Sequence, residues 1–276
     1  MAKQQDEVFR LAGNALSSMP YRAFREGIMG TDKEGALQSL IERYPHLLAG
    51  RDMDEENPPR FFVLGREVAV AGGSLDLLLV DQLGVLTLVE AKLAENPESG
   101  RAVIGQILEY AAAAAEMWNV DEIRNGAVEY YAARGADLGE ALAGFLADTG
   151  QDVETFWSSV GENLSLRGIR LIIASDEIPV QVRRAVELLN TEMKNMEILG
   201  LELRCYGAVD NDVVLVPHVL GQTQAAIDRK PDRPTAWPAD RLRKAFAALD
   251  EPLRSRLTAV LELAEEKRVF FPTVSK

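Results

Sequence analysis

Two acidic residues and a lysine lie in two adjacent apolar segments near the first third of the chain. Asp76 lies in the run LDLLLV, and the triplet Glu90-Ala91-Lys92 ends the run that begins with VLTLV. A buried carboxylate is unfavourable unless it is paired with a cation or bound to a metal. Two carboxylates and a lysine on neighbouring strands therefore indicate a site for a divalent metal ion.

The turn between the two runs determines which residues lie opposite one another. A three-residue loop, Gln82-Leu83-Gly84, that ends in a left-handed glycine pairs Asp81 with Val85. Counting back from that pair places Asp76 opposite Glu90. Opposed residues of an antiparallel pair lie about 5 Å apart at their Cα atoms, with both side chains on one face. A shift of one residue would separate the carboxylates, so the prediction depends on this loop.

An ordinary ion pair at a strand end is the alternative interpretation of Glu90 and Lys92. The two-residue period of a strand places these two side chains on one face and Ala91 on the other. The same acid-x-lysine spacing occurs three more times, at Glu192–Lys194, Asp228–Lys230 and Glu265–Lys267. None of these three lies at the end of an apolar strand whose preceding strand contains an aspartate. We therefore interpret them as exposed surface residues.

Composition limits the class of protein. The chain has 276 residues, of which 47% are hydrophobic and 26% charged, as is typical of a globular protein with a full core. No apolar stretch is long enough to span a bilayer and no signal-peptide pattern is present, so we expect a cytoplasmic protein with no membrane partner. The net charge of −13 argues against a nonspecific nucleic-acid coat, but not against an enzyme with a local basic groove.

The charges are unevenly distributed along the chain. Residues 135–164 contain six acidic and no basic residues, whereas residues 228–256 contain eight basic and five acidic residues. A surface that contacts phosphate is therefore expected in the later segment. The acidic segment, which is predicted to be helical, is a candidate docking region for a partner protein.

Cysteine and histidine chemistry is not indicated. Cys205 is the only cysteine, so it forms no intramolecular disulfide, and its apolar neighbours in LELRCYG favour a core position. His46 and His218 are far apart in the sequence, and their spacing supports neither a metal site nor a catalytic triad. The chain also lacks the glycine-rich phosphate loop of an NTPase.

The elements around these residues are those of an α/β protein. Helices are predicted over Asp6–Ser17, Thr31–Leu48, Ala102–Trp118, Glu122–Leu146 and Pro179–Met193. Strands are predicted near Arg66–Val70, Leu75–Val80, Val85–Lys92, Ile169–Ala174, Ile198–Tyr206 and Val213–Pro217. The strand–helix–strand order of the second half indicates a mixed sheet flanked by helices.

The predicted elements divide the chain into three parts. Residues 1–29 form a helical extension, residues 30–225 one α/β domain, and residues 226–276 a linker with a helical tail. In this last part, prolines in Asp228–Pro238 indicate the linker, and helices are predicted over Ala239–Asp250 and Pro252–Arg268.

The motifs together resemble the PD-(D/E)xK nuclease superfamily, especially its tRNA-endonuclease-like, archaeal-type and RecB-type members. The resemblance covers the segments KEGALQSLIERYPHLL, GREVAVAGGSLDLLLVD, GVLTLVEAKL and RAVIGQILEYAAAAAE. Those members pair a Gly-x-x-Asp strand, here Gly73–Asp76, with a Glu-x-Lys strand and a Gln-x-x-x-Tyr helix, here Gln106–Tyr110. The implied fold is a restriction-endonuclease-like mixed β-sheet flanked by helices, with helical N- and C-terminal extensions.

The resemblance also implies an activity, a metal-dependent hydrolysis of phosphodiester bonds with DNA as the expected substrate. Mg²⁺ or Mn²⁺ would be held by Asp76, Glu90 and the Ala91 carbonyl, since hard cations prefer oxygen ligands. The metal would acidify a bound water and neutralise the charge of the phosphate. Lys92 would orient or activate that water and stabilise charge on phosphorus. Related enzymes commonly dimerise, so a homodimer is also expected.

Three further candidate site residues come from the same resemblance. Gln106 and Tyr110 lie one helical turn apart and would contact the substrate or brace the site; alternatively, both hydrogen-bond the neighbouring strand. Glu34 is the candidate for the family's helix glutamate, with a capping or surface role as an equal alternative. Gln38 stands where some relatives carry that glutamate.

A second function remains open at this point. The chain is alternatively a non-catalytic nucleic-acid-binding or regulatory interaction module that has kept a nuclease-like fold. Its modest basic content favours this alternative slightly, whereas the intact set of Asp76, Glu90 and Lys92 disfavours it.

Overall fold

The computed structural model contains a mixed β-sheet with helices on both faces. It describes residues 8–22, 33–70, 73–93, 99–207, 213–223, 226–227, 243, 246–247 and 249–266. The strands within these residues are β1 (Val8–Ala12), β2 (Ala15–Met19), β3 (Tyr21–Arg22), β4 (Phe61–Val70), β5 (Gly73–Asp81), β6 (Leu86–Ala91), β7 (Ile169–Ser175), β8 (Glu197–Gly207) and β9 (Val213–Leu220).

The helices begin and end close to capping and turn residues. They are α1 (Lys33–Arg43), a 3₁₀ turn (Pro45–Leu48), α2 (Gly50–Met53), α3 (Ser99–Met117), α4 (Val120–Ala132), α5 (Leu138–Leu146), α6 (Val153–Ser165), α7 (Val180–Glu192) and α8 (Leu253–Glu266). Three of them have side-chain N-caps, because Asn119, Asp137 and Asp152 each accept a hydrogen bond from the backbone three residues on. None of the helices described is long and apolar enough to cross a membrane.

The sheet is antiparallel from β4 to β6, parallel from β6 to β8, and antiparallel again where β3 and β9 pair with β8. Its described strands run in the order β4-β5-β6-β7-β8, and β9 and β3 both pair with β8. Strands β4, β5 and β6 are antiparallel neighbours, whereas β6, β7 and β8 are parallel. Because β9 occupies one side of β8 at Cys205 and Tyr206, β3 lies on the other side, beyond the carboxyl end of β7.

Each face of the sheet carries its own hydrophobic core. The α3-side core joins even-numbered residues of β5 and β6 to helices α3 to α7, and includes Leu78, Val80, Leu86, Leu88, Ile107, Phe156 and Val186. The α1-side core lies on the opposite face and includes Leu77, Leu79, Val89, Leu37 and Ile41. Strands covered on both faces explain the nearly continuous apolar runs of the sequence. Cys205 lies in the α1-side core, where burial raises its pKa to about 11, as its predicted core position requires.

The prediction of a mixed sheet flanked by helices is confirmed, but the predicted N-terminal helix over Asp6–Ser17 is wrong. Within the described residues this segment is the hairpin β1–β2, in which Ala12 pairs with Ala15 across the turn Gly13-Asn14. Gly13 has a positive φ of 59°, which glycine adopts at low cost. The N-terminal extension is therefore not helical over residues 8–19.

Other element boundaries also differ from the prediction. The helix predicted over Glu122–Leu146 is two helices, α4 and α5, because Gly135 adopts a φ of 70° and Asp137 caps a new helix. The helix predicted to reach Leu48 ends at Arg43, before Pro45, and β4 starts at Phe61 instead of Arg66. The predicted cap Thr31, the linker Asp228–Pro238 and most of the helix Ala239–Asp250 lie outside the described residues.

Candidate metal centre

The hairpin of β5 and β6 has the register that the sequence predicts. Its pairs run from Val80 with Leu86 to Leu77 with Val89. In the loop, the Asp81 N–H donates to the Val85 carbonyl at 3.1 Å, and the final glycine, Gly84, has a φ of 78°. The register, continued by one residue, places Asp76 opposite Glu90.

The regular ladder between β5 and β6 ends at Asp76. In an alternating antiparallel ladder, Ala91 would exchange hydrogen bonds with Leu75. Instead, the Ala91 N–H donates to the Asp76 carboxylate, Oδ2, at 2.6 Å. A side chain of β5 thus replaces the backbone acceptor, which fixes one carboxylate oxygen beside the end of β6.

The backbone of β5 also changes face at this point. Leu75 packs in the α3-side core and Leu77 in the α1-side core, so the two-residue alternation is interrupted at Asp76. On the paired strand, Glu67 has a positive φ of 50°. The register alone predicted that the carboxylates of Asp76 and Glu90 lie on one face of the sheet. Instead, the Asp76 carboxylate is directed at the backbone N–H of Ala91, the residue that follows Glu90.

Glu90 and Lys92 stand together on β6. Glu90 is 0% exposed, and the Lys92 Nζ lies 3.4 Å from its Oε1 while the Lys92 side chain keeps 32% of its surface exposed. The Lys92 N–H donates to the Ala174 carbonyl of β7 at 2.9 Å, which holds the backbone in the sheet. A partly exposed ammonium therefore lies next to a fully buried carboxylate at the carboxyl end of β6.

Arg170 forms shorter ion pairs with two other buried carboxylates of this sheet. Arg170, which is also buried, lies 2.7 Å from Glu197 and 3.0 Å from Asp81. Charge-assisted hydrogen bonds are typically about 2.7–2.9 Å long. Lys92 and Glu90 thus form the ion pair of the alternative interpretation, at a longer distance than the pairs of Arg170.

Gln106 and Tyr110 brace the start of β5. The Gln106 amide, Nε2, donates to the Tyr110 hydroxyl at 2.8 Å, and that hydroxyl donates to the Ser74 carbonyl at 3.1 Å. A Cβ on Gly73 would lie 2.7 Å from the Tyr110 hydroxyl. Tyr110 thus hydrogen-bonds the neighbouring strand, Gln106 reaches that strand only through Tyr110, and Gly73 leaves the space for the Tyr110 hydroxyl.

Gln38 and Glu42 of α1 bind Arg66 of β4, which was not among the predicted site residues. Arg66 donates to Gln38 Oε1 at 3.1 Å and to Glu42 Oε2 at 2.9 Å. Burial favours the neutral form of Glu42, but hydrogen bonds from Tyr130, Arg66 and Arg134 outweigh it and lower the pKa of this carboxyl. Glu34 lies in the first turn of α1, and its side chain is outside what the structure describes.

The side chains and backbone at the end of the β5–β6 hairpin offer the oxygen donors that a hard divalent cation prefers. Asp76 and Glu90 supply carboxylates, and the Ala91 carbonyl is a third oxygen on the same short segment. Among the described residues, no group of three or more His, Cys, Asp or Glu side chains is placed to hold a metal ion. Two carboxylates nevertheless suffice for Mg²⁺, which usually keeps several waters and binds substrate phosphates directly.

Two charged residues of β8 were also not among the predicted site residues. Glu202 and Arg204 alternate with apolar residues in LELRCYG, and a charged group in an apolar strand is the signal that identified Asp76 and Glu90. Glu202 is 1% exposed and lies on β8 opposite Ser175 of β7. The phosphate-facing surface predicted in residues 228–256 lies largely outside the described residues.

Comparisons of the chain with protein-family models, with curated proteins and with solved structures gave no match. The site is therefore interpreted from its own residues.

Proposed function

We propose that this protein is a metal-dependent nuclease that hydrolyses phosphodiester bonds in DNA, on a restriction-endonuclease-like fold. The observation that supports it most is the carboxylate of Glu90, which is fully buried beside a partly exposed lysine. A buried carboxylate is costly unless it is paired with a cation or bound to a metal, and a divalent cation would add to the compensation that Lys92 provides. Asp76, held against the backbone of β6, brings a second carboxylate to the same strand end.

Asp76, Glu90 and the Ala91 carbonyl are the proposed ligands of Mg²⁺ or Mn²⁺. The metal supplies an acidified water and charge neutralisation at the scissile phosphate. The bond from the Ala91 N–H to Asp76 orients this carboxylate and holds Ala91 at the end of the ladder. The protein thereby fixes the positions of its ligands before any cation binds, which lowers the cost of assembling the site.

Lys92 is the residue proposed to act on the substrate. Its ammonium lies at the exposed end of the site, so it can donate to a phosphate oxygen or to the attacking water. Charge developing on the phosphoryl oxygens in the transition state is stabilised by a cation held in place beforehand. Gln106 and Tyr110 act as positioning residues, because they hold the strand that carries Asp76.

The alternative function, a nucleic-acid-binding or regulatory module without catalysis, is favoured by one observation. In the part of the chain that the structure describes, no group of three or more metal-binding side chains is present. A module that has lost the metal would retain the fold and the lysine but would bind nucleic acid equally with and without divalent cations.

Cleavage of a substrate panel tests the proposal. Purified protein is incubated with Mg²⁺ or Mn²⁺ and with single-stranded DNA, duplex DNA, forked DNA and RNA of one sequence. We expect cleavage of at least one DNA substrate, and loss of it by about 10²-fold or more in Lys92→Ala, the usual range for removal of a group that stabilises transition-state charge.

The matched control is Lys194→Ala. Lys194 belongs to Glu192-Met193-Lys194, which has the same acid-x-lysine spacing but is exposed at the end of α7. We expect wild-type activity from this control. A wild-type protein that cuts none of the substrates with either metal, or a Lys92→Ala protein that cuts as fast as the control, contradicts the proposal.

A further inference from the structure

A row of polar residues crosses the parallel strands in register with Lys92. Ser175 of β7 pairs with Glu202 of β8, which pairs with His218 of β9. The β6–β7 register, continued by one residue past Ala91 with Ala174, places Lys92 beside Ser175. Paired residues share a face of a sheet, so this row lies on the face that carries Glu90 and α3.

Glu202, a member of this row, accepts hydrogen bonds from two arginines, Arg183 and Arg204. Its Oε2 accepts from Arg204 Nη2 at 2.8 Å, and its Oε1 accepts from Arg183 Nη2 at 3.4 Å and from the Ile178 N–H at 3.0 Å. Burial favours the neutral carboxyl, but the Ile178 N–H and Arg204 outweigh it and lower the pKa of Glu202. The buried carboxylate therefore stays charged and fixes the two guanidinium groups above the sheet.

Both arginines remain partly open to solvent. The Arg204 side chain is 24% exposed and the Arg183 side chain is 33% exposed. The Nε of Arg183 is buried and has no hydrogen-bond acceptor among the described residues. The exposed parts of these two guanidinium groups can donate to an acceptor that arrives with a ligand.

Arg170 differs from Arg183 and Arg204 because it is buried and both of its ion pairs lie inside the sheet. Its side chain is 3% exposed, and it bridges Asp81 and Glu197 at the opposite end of β7. The Arg183–Glu202–Arg204 cluster instead lies at the carboxyl edge of parallel strands, where α/β sheets bind ligands. Helix α7, which carries Arg183, and α3 pack on the same face, so the cluster and the proposed metal site line one edge.

We infer that Arg183 and Arg204, held by Glu202, bind a backbone phosphate of the nucleic acid next to the segment that is cut. This inference rests on the proposed nuclease function. Strands of a sheet are about 4.8 Å apart, so β8 lies about 10 Å from Lys92 on β6, within reach of a second phosphate of one strand. The planar fork of arginine matches the geometry of phosphate oxygens.

The test is nucleic-acid binding as a function of salt. The full-length Lys92→Ala protein, which is expected not to cut, is titrated against a fluorescein-labelled DNA oligonucleotide, single-stranded and duplex, at several NaCl concentrations. Arg183→Gln and Arg204→Gln are added singly and together. Each lost phosphate contact is expected to reduce the slope of log affinity against log salt by about 0.7–0.9.

Two control variants distinguish a change in DNA contacts from a change in the folded structure. Lys194→Gln removes one charge from the exposed end of α7 and is expected to leave the slope unchanged. Arg204→Lys keeps the charge without the fork and is expected to retain the slope with weaker binding. Thermal unfolding of each variant establishes that the binding data refer to folded protein.

The outcomes for this inference and for the proposed function are distinguishable. If the wild type cuts DNA but the double arginine variant binds with an unchanged slope, the phosphate contact is wrong and the nuclease function stands. If the wild type cuts nothing while binding still depends on the two arginines, the contact is supported and the nuclease function is wrong. Absence of DNA binding by the Lys92→Ala protein overturns the inference.

Discussion

The Asp76 carboxylate accepts a hydrogen bond from the Ala91 N–H at 2.6 Å, where a regular ladder would place the Leu75 carbonyl. This bond ends the pairing of β5 with β6 and sets one acid of the proposed site against the strand that carries the other. It explains why a short polar acid, and not a larger side chain, lies at position 76 within an otherwise apolar run.

Gly73 is predicted to contribute to stability, because a Cβ at this position would be too close to the Tyr110 hydroxyl. In Gly73→Ala, the new Cβ would lie 2.7 Å from the Tyr110 hydroxyl, and overpacking of this kind costs about 1–3 kcal/mol. We expect urea denaturation to show this loss, together with reduced cleavage. The next atoms of the ring lie at 3.5 and 3.6 Å, so Tyr110→Phe should relieve the clash.

The double variant Gly73→Ala/Tyr110→Phe is the control for this prediction. It should be more stable than the sum of the two single changes indicates, by about 0.5 kcal/mol or more. Additive losses of stability would contradict a direct clash between the two residues.

Arg170 is predicted to stabilise the fold without contributing to the site. Arg170→Met leaves Asp81 and Glu197 buried without their cation, which typically costs about 3–5 kcal/mol. Denaturant unfolding should show this loss at neutral pH. Mn²⁺ affinity per folded molecule should stay at the wild-type value, and a change in that affinity would show that the two ends of the sheet are coupled.

The pKa of Glu42 predicts a specific dependence of stability on pH. Burial raises this pKa, but hydrogen bonds from Tyr130, Arg66 and Arg134 lower it below its ordinary value of 4.5. A group whose pKa is lower in the folded state contributes stability that is present above the unfolded pKa and is lost as the pH falls through the folded pKa. Glu42→Gln should therefore destabilise the protein at pH 7 and flatten the decline below pH 4.5.

Glu129→Gln provides the comparison for Glu42, because Glu129 is an exposed acid on α4, the helix that carries Tyr130. Its free energy of unfolding at pH 7 should stay within about 0.5 kcal/mol of the wild type. Equal effects of the two substitutions would contradict the account of Glu42.

The sequence was sufficient to predict the hairpin that carries the proposed site. The spacing of Asp81, Gly84 and Val85 defines a turn of known geometry, so the opposition of Asp76 and Glu90 followed from counting. The interruption at Asp76 did not follow from counting, because a strand pattern does not indicate that a side chain will replace a backbone acceptor for the Ala91 N–H.

The errors arose where local patterns compete. The segment Asp6–Ser17 has the apolar spacing and acidic first turn of a helix, but its Gly13-Asn14 pair is also a hairpin turn, and pairing of Leu11 with Leu16 prevailed. Arg66 was not identified because its partners on α1 are distant in the sequence. Glu202 and Arg204 carry the same sequence signal as Asp76 and Glu90, which is a charged residue within an apolar strand.

Isothermal titration with Mn²⁺ tests the central claim most directly, and Asp76→Asn is the decisive variant because its amide oxygen still accepts from the Ala91 N–H. Asp148→Asn removes the same charge from an exposed position. We predict that the wild type and Asp148→Asn each bind Mn²⁺ with equal affinity, and that Asp76→Asn, still folded, binds none. Equal uptake by Asp76→Asn, or no uptake by the wild type, would contradict the account.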